Sequence, residues 1–128
     1  MINIDHHNGV SRQAMTKRFA KGVVAAISPF NFPLNLALHK IAPAIAVGCP
    51  VILKPSPFTP LTALYLAELV AKLDLPKGAL QVINCDNSIA QKLVSANEVA
   101  VVSFTRSDKV GWQIKQIPRI FEGIYLII

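Results

Sequence analysis

The chain has 128 residues, 52% hydrophobic and 16% charged, with a formal net charge of +6. That length allows one modest domain with a core, and the hydrophobic balance excludes a disordered tail. Its thirteen Lys and Arg residues are scattered, and the one dense group, Arg12, Lys17, Arg18 and Lys21, does not alternate with aromatic residues, so solvated charge beside a core or a small anionic ligand fits better than a nucleic-acid or membrane surface.

Residues 1–18 show no clear periodicity, and Lys17 to Lys21 leads into the first strand; the adjacent His6 and His7 cannot share a helix face, so they read as surface residues. Gly22 to Ser28 is apolar, with β-branched residues at Val23, Val24 and Ile27, and predicts a short strand buried on both faces. Pro29 ends it. Asn31 is placed to cap a helix beginning at Phe32 or Pro33 and running to about Val47. That helix is apolar nearly all round, as a buried helix is. Pro43 should kink it, and Gly48 stops it.

Val51 to Leu53 predicts a second strand. Thr59 then caps a helix with Pro60 at its first position. Leu61, Leu64, Tyr65, Leu69 and Leu73 recur at helical spacing and mark its inward face. Asp74 to Gly78 is a turn, and Ala79 to Ile83 a third strand. Ser88 to Ala96 is a short helix with Ile89 and Leu93 on one face. Glu98 to Thr105 is a fourth strand, and Ser107 caps a last helix containing Val110 and Ile114.

Strand and helix therefore alternate four times. Right-handed crossovers between parallel strands make this a Rossmann-like three-layer α/β unit with a mostly parallel sheet. The organisation is an N-terminal segment over 1–21 with little definition, a dinucleotide-binding-type domain over 22–116, and a tail over 117–128. Pro118 ends the pattern, and the closing apolar run from Gly123 fits either an edge strand or the scar of a truncated gene.

Cys49 and Cys85 form no disulfide framework and no metal spacing. The start lacks the apolar core of a secretory leader. The uncharged run from Gly22 to His39 approaches membrane-spanning length, but Pro29, Asn31, Pro33 and Asn35 interrupt it. A reducing, cytoplasmic setting is expected, with no membrane, nucleic-acid or metal partner.

Several ordered motifs carry a family resemblance. Gly22-Val23-Val24 through Pro29-Phe30-Asn31-Phe32-Pro33 resembles the start of the cofactor-binding domain of aldehyde dehydrogenases. The likeness continues through Lys40-Ile41-Ala42-Pro43-Ala44, Leu53-Lys54-Pro55, Thr59-Pro60-Leu61-Thr62-Ala63 and Leu75-Pro76-Lys77-Gly78. It ends at Ser103-Phe104-Thr105, Ser107 and Val110-Gly111, so that residues 22–114 align without a visible gap.

The resemblance implies oxidation of an aldehyde to a carboxylate with NAD or NADP, through attack by a cysteine thiolate, hydride transfer to the cofactor and hydrolysis of a thioester. By resemblance Asn31 is the amide donor to the oxyanion; read from the residues alone it is a helix cap. Lys54, with Ser56 in the same turn, corresponds to the adenosine-ribose contact. Ser107 begins the helix that meets the pyrophosphate, Val110 lines the adenine side, and Ile27, Ser28, Pro29 and Phe30 line the cofactor.

Two departures bear on that site. Pro57 stands where many NAD-preferring members carry a glutamate, which implies a weaker NAD preference and tolerance of NADP. Arg106 replaces a glycine; it could pair with the pyrophosphate or block it, and its bulk implies impaired binding. Cys85 lies past a strand end without family support as a nucleophile, and Cys49 reads as structural.

The family's general-base glutamate and nucleophilic cysteine lie beyond the matched residues. Glu122-Gly123 resembles a glutamate-glycine motif, but its flanks do not fit. The chain corresponds to about a quarter of such an enzyme, is expected to be inactive alone, and is expected to leave apolar faces open to aggregation or to a partner. A second copy or a full-length relative could be that partner. The alternative function is a non-catalytic nucleotide-binding remnant or interaction module. Leu34, Leu36, Leu38 and His39 suggest an apolar approach for the aldehyde but do not name it.

Overall fold

The computed structural model describes residues 13–117 together with 2–3 and 124–127. His6, His7, Arg12, Glu122 and Gly123 lie outside the described residues. Two short strands, β1 (Ile2–Asn3) and β2 (Gln13–Ala14), pair antiparallel. The domain itself alternates β3 (Val23–Ile27), α1 (Asn35–Ala46), β4 (Val51–Lys54), α2 (Pro60–Val70), β5 (Leu80–Val82), α3 (Asn87–Ser95), β6 (Val99–Phe104), α4 (Asp108–Lys115) and β7 (Ile124–Ile127).

The five strands from β3 onward form one parallel sheet in the order β5-β4-β3-β6-β7. The chain winds outward from β3 to one edge, then returns beside β3 to build the other. This doubly wound order creates a crevice at the carboxyl ends of β3 and β6, where the winding direction reverses. The register sets Ile27 opposite both Lys54 and Phe104. The apolar tail forms the strand at this edge, where Val101 to Phe104 pair with Ile124 to Ile127.

Alternation along β3 divides the core into two layers. Val24 and Ala26 face α1 and α2, together with Val51, Leu53, Ala37, Ile41, Ala44 and Ala63. Ala25 and Ile27 face α3 and α4, together with Val94, Val99, Val102, Phe104 and Ile114. Val51, Leu53, Val94 and Val102 are the largest fully buried side chains, each stabilising the fold by about 1.5–3 kcal/mol. Gly22, at φ +132°, lets β3 approach β6 so closely that a Cβ there would lie 2.9 Å from that of Ala100.

Predicted boundaries and observed ones agree within a residue or two, except at the end of α2, which stops at Val70 short of Leu73, and at the start of α1. α1 begins at Asn35 rather than Phe32 or Pro33, and Leu34 holds the cap position. Asn31 is therefore not a helix cap. The chain first passes through Phe32 at φ +50°, so a turn separates Asn31 from the helix. α1 continues through Pro43 as one element.

The face assignments also need correction. α1 is not buried all round: Ala37, Lys40, Ile41 and Ala44 face inward, while Leu34, Leu38 and Ala42 are exposed. In α2 the expected inward leucines point outward, with Leu61, Leu64, Tyr65 and Leu69 exposed and Leu73 exposed just beyond it. Ala63 is buried instead, flanked by half-buried Leu66, Ala67 and Val70. α2 is apolar on two stripes, and the stripe with the smaller residues lets the helix lie closer to β4 and β5. In α3 the inward residues are Ala90 and Val94, and Ile89 is exposed. Thr59 holds the cap position of α2, yet its hydroxyl is buried without a hydrogen-bond partner.

Candidate functional site

A cavity of about 700 Å³ opens at the carboxyl ends of β3, β4 and β6, within the size range of a small-molecule site. β3 contributes Ile27 and the following Ser28, and β4 contributes Lys54 and the following Ser56. Asn87, Ser88, Gln91 and Lys92 come from α3, and Phe104, Arg106, Val110 and Gln113 from β6 and α4.

Several of these side chains are positioned by backbone bonds at the strand ends. The Ser28 N–H donates to Lys54 O at 3.2 Å, and the Thr105 N–H donates to Ile27 O at 3.2 Å. These bonds extend the ladder past the last strand residues and hold three loops together. Ser28, Lys54 and Ser56 are all buried. Lys54 Nζ donates to Asn87 Oδ1 at 3.4 Å, so the lysine lies along the cavity wall toward the start of α3. The Ser56 hydroxyl accepts from the Phe58 N–H at 3.3 Å and fixes the turn after β4.

The cavity unites five of the predicted site residues: Ile27, Ser28, Lys54, Ser56 and Val110. Pro29, Phe30, Asn31 and Ser107 are not on its wall. Pro29 is buried behind it, and Asn31 is exposed on the loop leading to α1. Phe30 meets Phe58 edge to face, with ring centroids 6.1 Å apart, tying the loop after β3 to the turn after β4. Ser107 is the cap residue of α4 in extended backbone, but its hydroxyl makes no capping bond. Arg106 stands beside it on the cavity wall and does not fill the cavity.

The structure adds residues to which the sequence gave no role. Asn87, Ser88, Gln91, Lys92 and Gln113 complete the wall. Lys40, on the other side of the sheet, is 5% exposed. Its Nζ donates to Ser103 Oγ at 3.3 Å and to Thr105 Oγ1. Burial lowers its pKa from 10.5 to about 8. The signal was present in the sequence as a charged residue sharing a helical stripe with Ala37, Ile41 and Ala44. Cys49 is buried, and its Sγ accepts from the Lys21 N–H at 3.3 Å, which fits a structural role. Cys85 is half-buried.

The family model described as "Aldehyde dehydrogenase family" matches residues 3–121. The chain belongs to the aldehyde dehydrogenase family. It is 48% identical over 102 residues to a 3-sulfolactaldehyde dehydrogenase of Priestia aryabhattai, covering 79% of this chain and 21% of that protein. The crystal structure of aldehyde dehydrogenase 21 from Physcomitrella patens, in complex with succinate, superposes with a TM-score of 0.80 at 41% identity, over 87% of this chain and 23% of that one. Betaine aldehyde dehydrogenase from Staphylococcus aureus, in complex with NAD+, gives a TM-score of 0.80 at 36% identity, over 84% and 22%. The chain thus spans between a fifth and a quarter of the length of these relatives. The match extends the resemblance toward both ends, beyond residues 22–114.

Proposed function

We propose that this chain is the cofactor-binding segment of an NAD(P)-dependent aldehyde dehydrogenase. The observation that carries the reading is the cavity at the reversal point of a doubly wound sheet, with Lys54 and Ser56 on one side and Arg106 on the other. Its donor-rich, basic wall suits a nucleotide diphosphate. Lys54, Ser56 and Asn87 would hold the adenosine ribose, Val110 the adenine, and Arg106 the pyrophosphate, with Ile27 and Ser28 forming the floor. When bound, the nicotinamide cofactor supplies a hydride acceptor.

Asn31 is the residue of this chain proposed to act in catalysis. Its side chain takes no part in capping α1, and its amide N–H groups are donors of the kind an oxyanion requires. Pro29 and Phe30 set the loop that carries it. The expectation of impaired cofactor binding rests on the bulk of Arg106. The cavity stays open with Arg106 on its wall, which supports the pairing role instead.

The nucleophilic cysteine and general-base glutamate are proposed to come from polypeptide outside this chain, since Cys49 is buried in a structural position and no family motif supports Cys85. The aldehyde, like a second copy or a full-length relative as partner and the cytoplasm as compartment, belongs to the complete enzyme. Among the described residues no helix is long and apolar enough to cross a membrane, and no group of three His, Cys, Asp or Glu could hold a metal ion.

The test is calorimetric titration of the chain with NAD+ and NADP+, followed by an assay for reduced cofactor with added aldehyde. Binding without turnover, and turnover once a polypeptide carrying the missing cysteine and glutamate is added, is the expected result. Turnover by the chain alone would refute the assignment of the nucleophile elsewhere. A second reading, a non-catalytic interaction module, draws support from the outward apolar stripe of α2. It predicts association with a full-length relative and no gain of turnover on mixing.

A further inference from the structure

The helix layer formed by α1 and α2 has an outer surface almost without charge. From Phe30 to Ala71, Glu68 is the one exposed Lys, Arg, Asp or Glu side chain, because Lys40 and Lys54 are buried. The opposite layer differs: α3, α4 and the residues beside them expose Asp86, Lys92, Arg106, Asp108, Lys109 and Lys115. Few charges, with aromatic and aliphatic side chains in their place, is the composition of an interface core rather than of a solvated face.

The apolar surface is continuous along α2. Leu61, Leu64, Tyr65 and Leu69 share its outer arc, Phe58 and Leu73 flank it at either end, and all six are exposed. Taking about 200 Å² for a fully exposed aromatic side chain and somewhat less for leucine, the six present on the order of 700 Å². Monomers rarely leave a contiguous apolar patch of that size in water. It approaches the roughly 800 Å² that each partner buries in a standard interface.

We propose that a second copy of this chain covers the α2 face, forming a two-fold dimer in which the two α2 helices cross antiparallel. This goes beyond the cofactor-binding reading and does not rest on it. With the axis between Tyr65 and Glu68, helical spacing sets Leu64 against the partner's Leu69 and Tyr65 against the partner's Glu68. Leu61 then meets the aliphatic stem of the partner's Lys72. The Tyr65 hydroxyl donates to the carboxylate, so the one exposed charge of the face gains a hydrogen bond. Symmetry makes each contact twice and closes the assembly at two copies. Net charge favours the same approach. Each chain carries +6, and meeting through this face keeps the cations of α3 and α4 on the far sides of both sheets.

The test is sedimentation equilibrium of the full chain over a range of concentrations. Twice the chain mass should be found at high concentration, falling toward the chain mass on dilution. Leu61→Lys and Tyr65→Lys should each raise the dissociation constant by about 100-fold, since every substitution enters a two-fold interface twice at about tenfold per site. Trp112→Lys, at an exposed position on α4, should leave it unchanged. Both α2 positions are exposed, so circular dichroism should not change. Tyr65→Ser, which adds no charge, repeats the test if either lysine variant unfolds.

The chain mass at every concentration overturns the proposal, including the case in which the chain stays single until a full-length relative is added. A series of species larger than two copies overturns the closed two-fold arrangement. Dissociation by Trp112→Lys but not by the α2 variants places the contact on α4 and overturns it as well.

Discussion

Lys40 Nζ lies 3.3 Å from Ser103 Oγ, joining α1 to β6 beneath the sheet face that also packs α2. Among the described residues the side-chain acceptors of this deeply buried cation are the two hydroxyls of Ser103 and Thr105, and burial lowers its pKa from 10.5 to about 8. The depressed value fixes the sign of a pH effect. Between these two pKa values the unfolded chain holds the proton and the folded chain releases it, so stability rises with pH. Below about pH 8 both states are protonated and the cost of burying the charge is constant. The unfolding free energy from urea titrations should therefore increase from pH 8 toward 10.5, by on the order of 3 kcal/mol at most. Lys40→Met should abolish the part of the slope that belongs to this group. An unchanged slope would mean that the ammonium is solvated.

Gly48 closes α1 at φ +84°. Its N–H donates to Ile45 O at 2.9 Å, while the next N–H, from Cys49, donates to Ala44 O at 2.9 Å. This paired bonding is the left-handed helix stop that glycine favours. It delivers the chain into β4 within three residues, and Cys49 into the core. Gly48→Ala should lower stability by about 1 kcal/mol, read as a lower urea midpoint with an unchanged denaturant slope. No loss would show that the turn can relax to another conformation.

The sheet and its order were legible because buried parallel strands are short apolar runs cut off by Pro29, Gly48 and Gly78. One wall of the candidate cavity was legible too, since Lys54 ends a strand in the sequence pattern and in the structure, with Ser56 in the turn that follows. What the sequence hid was phase and orientation. In α2 nearly every position is apolar, so helical spacing shows that a stripe exists without saying which one faces the sheet. The choice is made by tertiary packing, where Ala63 and Ala67 allow a closer approach than Leu61 and Tyr65. The start of α1 was hidden in a different way. Asn31 and Pro33 are good opening residues for a helix, but Phe32 takes a left-handed backbone that no local preference for phenylalanine announces. Lys92 and Gln113 were invisible as wall residues because only the sheet order brings α3 and α4 to one cavity.

The corrected phase of α2 yields a contrast between two leucines. Leu61 is 77% exposed, so Leu61→Lys should change folding stability by no more than about 0.5 kcal/mol. It should also raise solubility, because it interrupts the apolar stripe it shares with Leu64, Tyr65 and Leu69. Leu53, fully buried between α1 and α2, should lose about 2–5 kcal/mol on replacement by alanine. A Leu61→Lys chain destabilised as much as Leu53→Ala would return the leucine stripe to the core and reverse the correction.

Asn31 offers the sharpest separation between a structural and a chemical role. Were it the cap of α1, Asn31→Ala would cost about 1 kcal/mol. With Leu34 in the cap position and Asn31 exposed, the unfolding free energy should change by less than about 0.5 kcal/mol, and cofactor affinity should not change. In an assembly that supplies the cysteine and glutamate, the same substitution should lower kcat by about 100-fold or more, the loss expected when an oxyanion donor is removed. KM for the cofactor should stay the same. A loss of stability would restore the capping role. Full activity of the substituted assembly would remove Asn31 from the chemistry and leave this chain a cofactor platform alone.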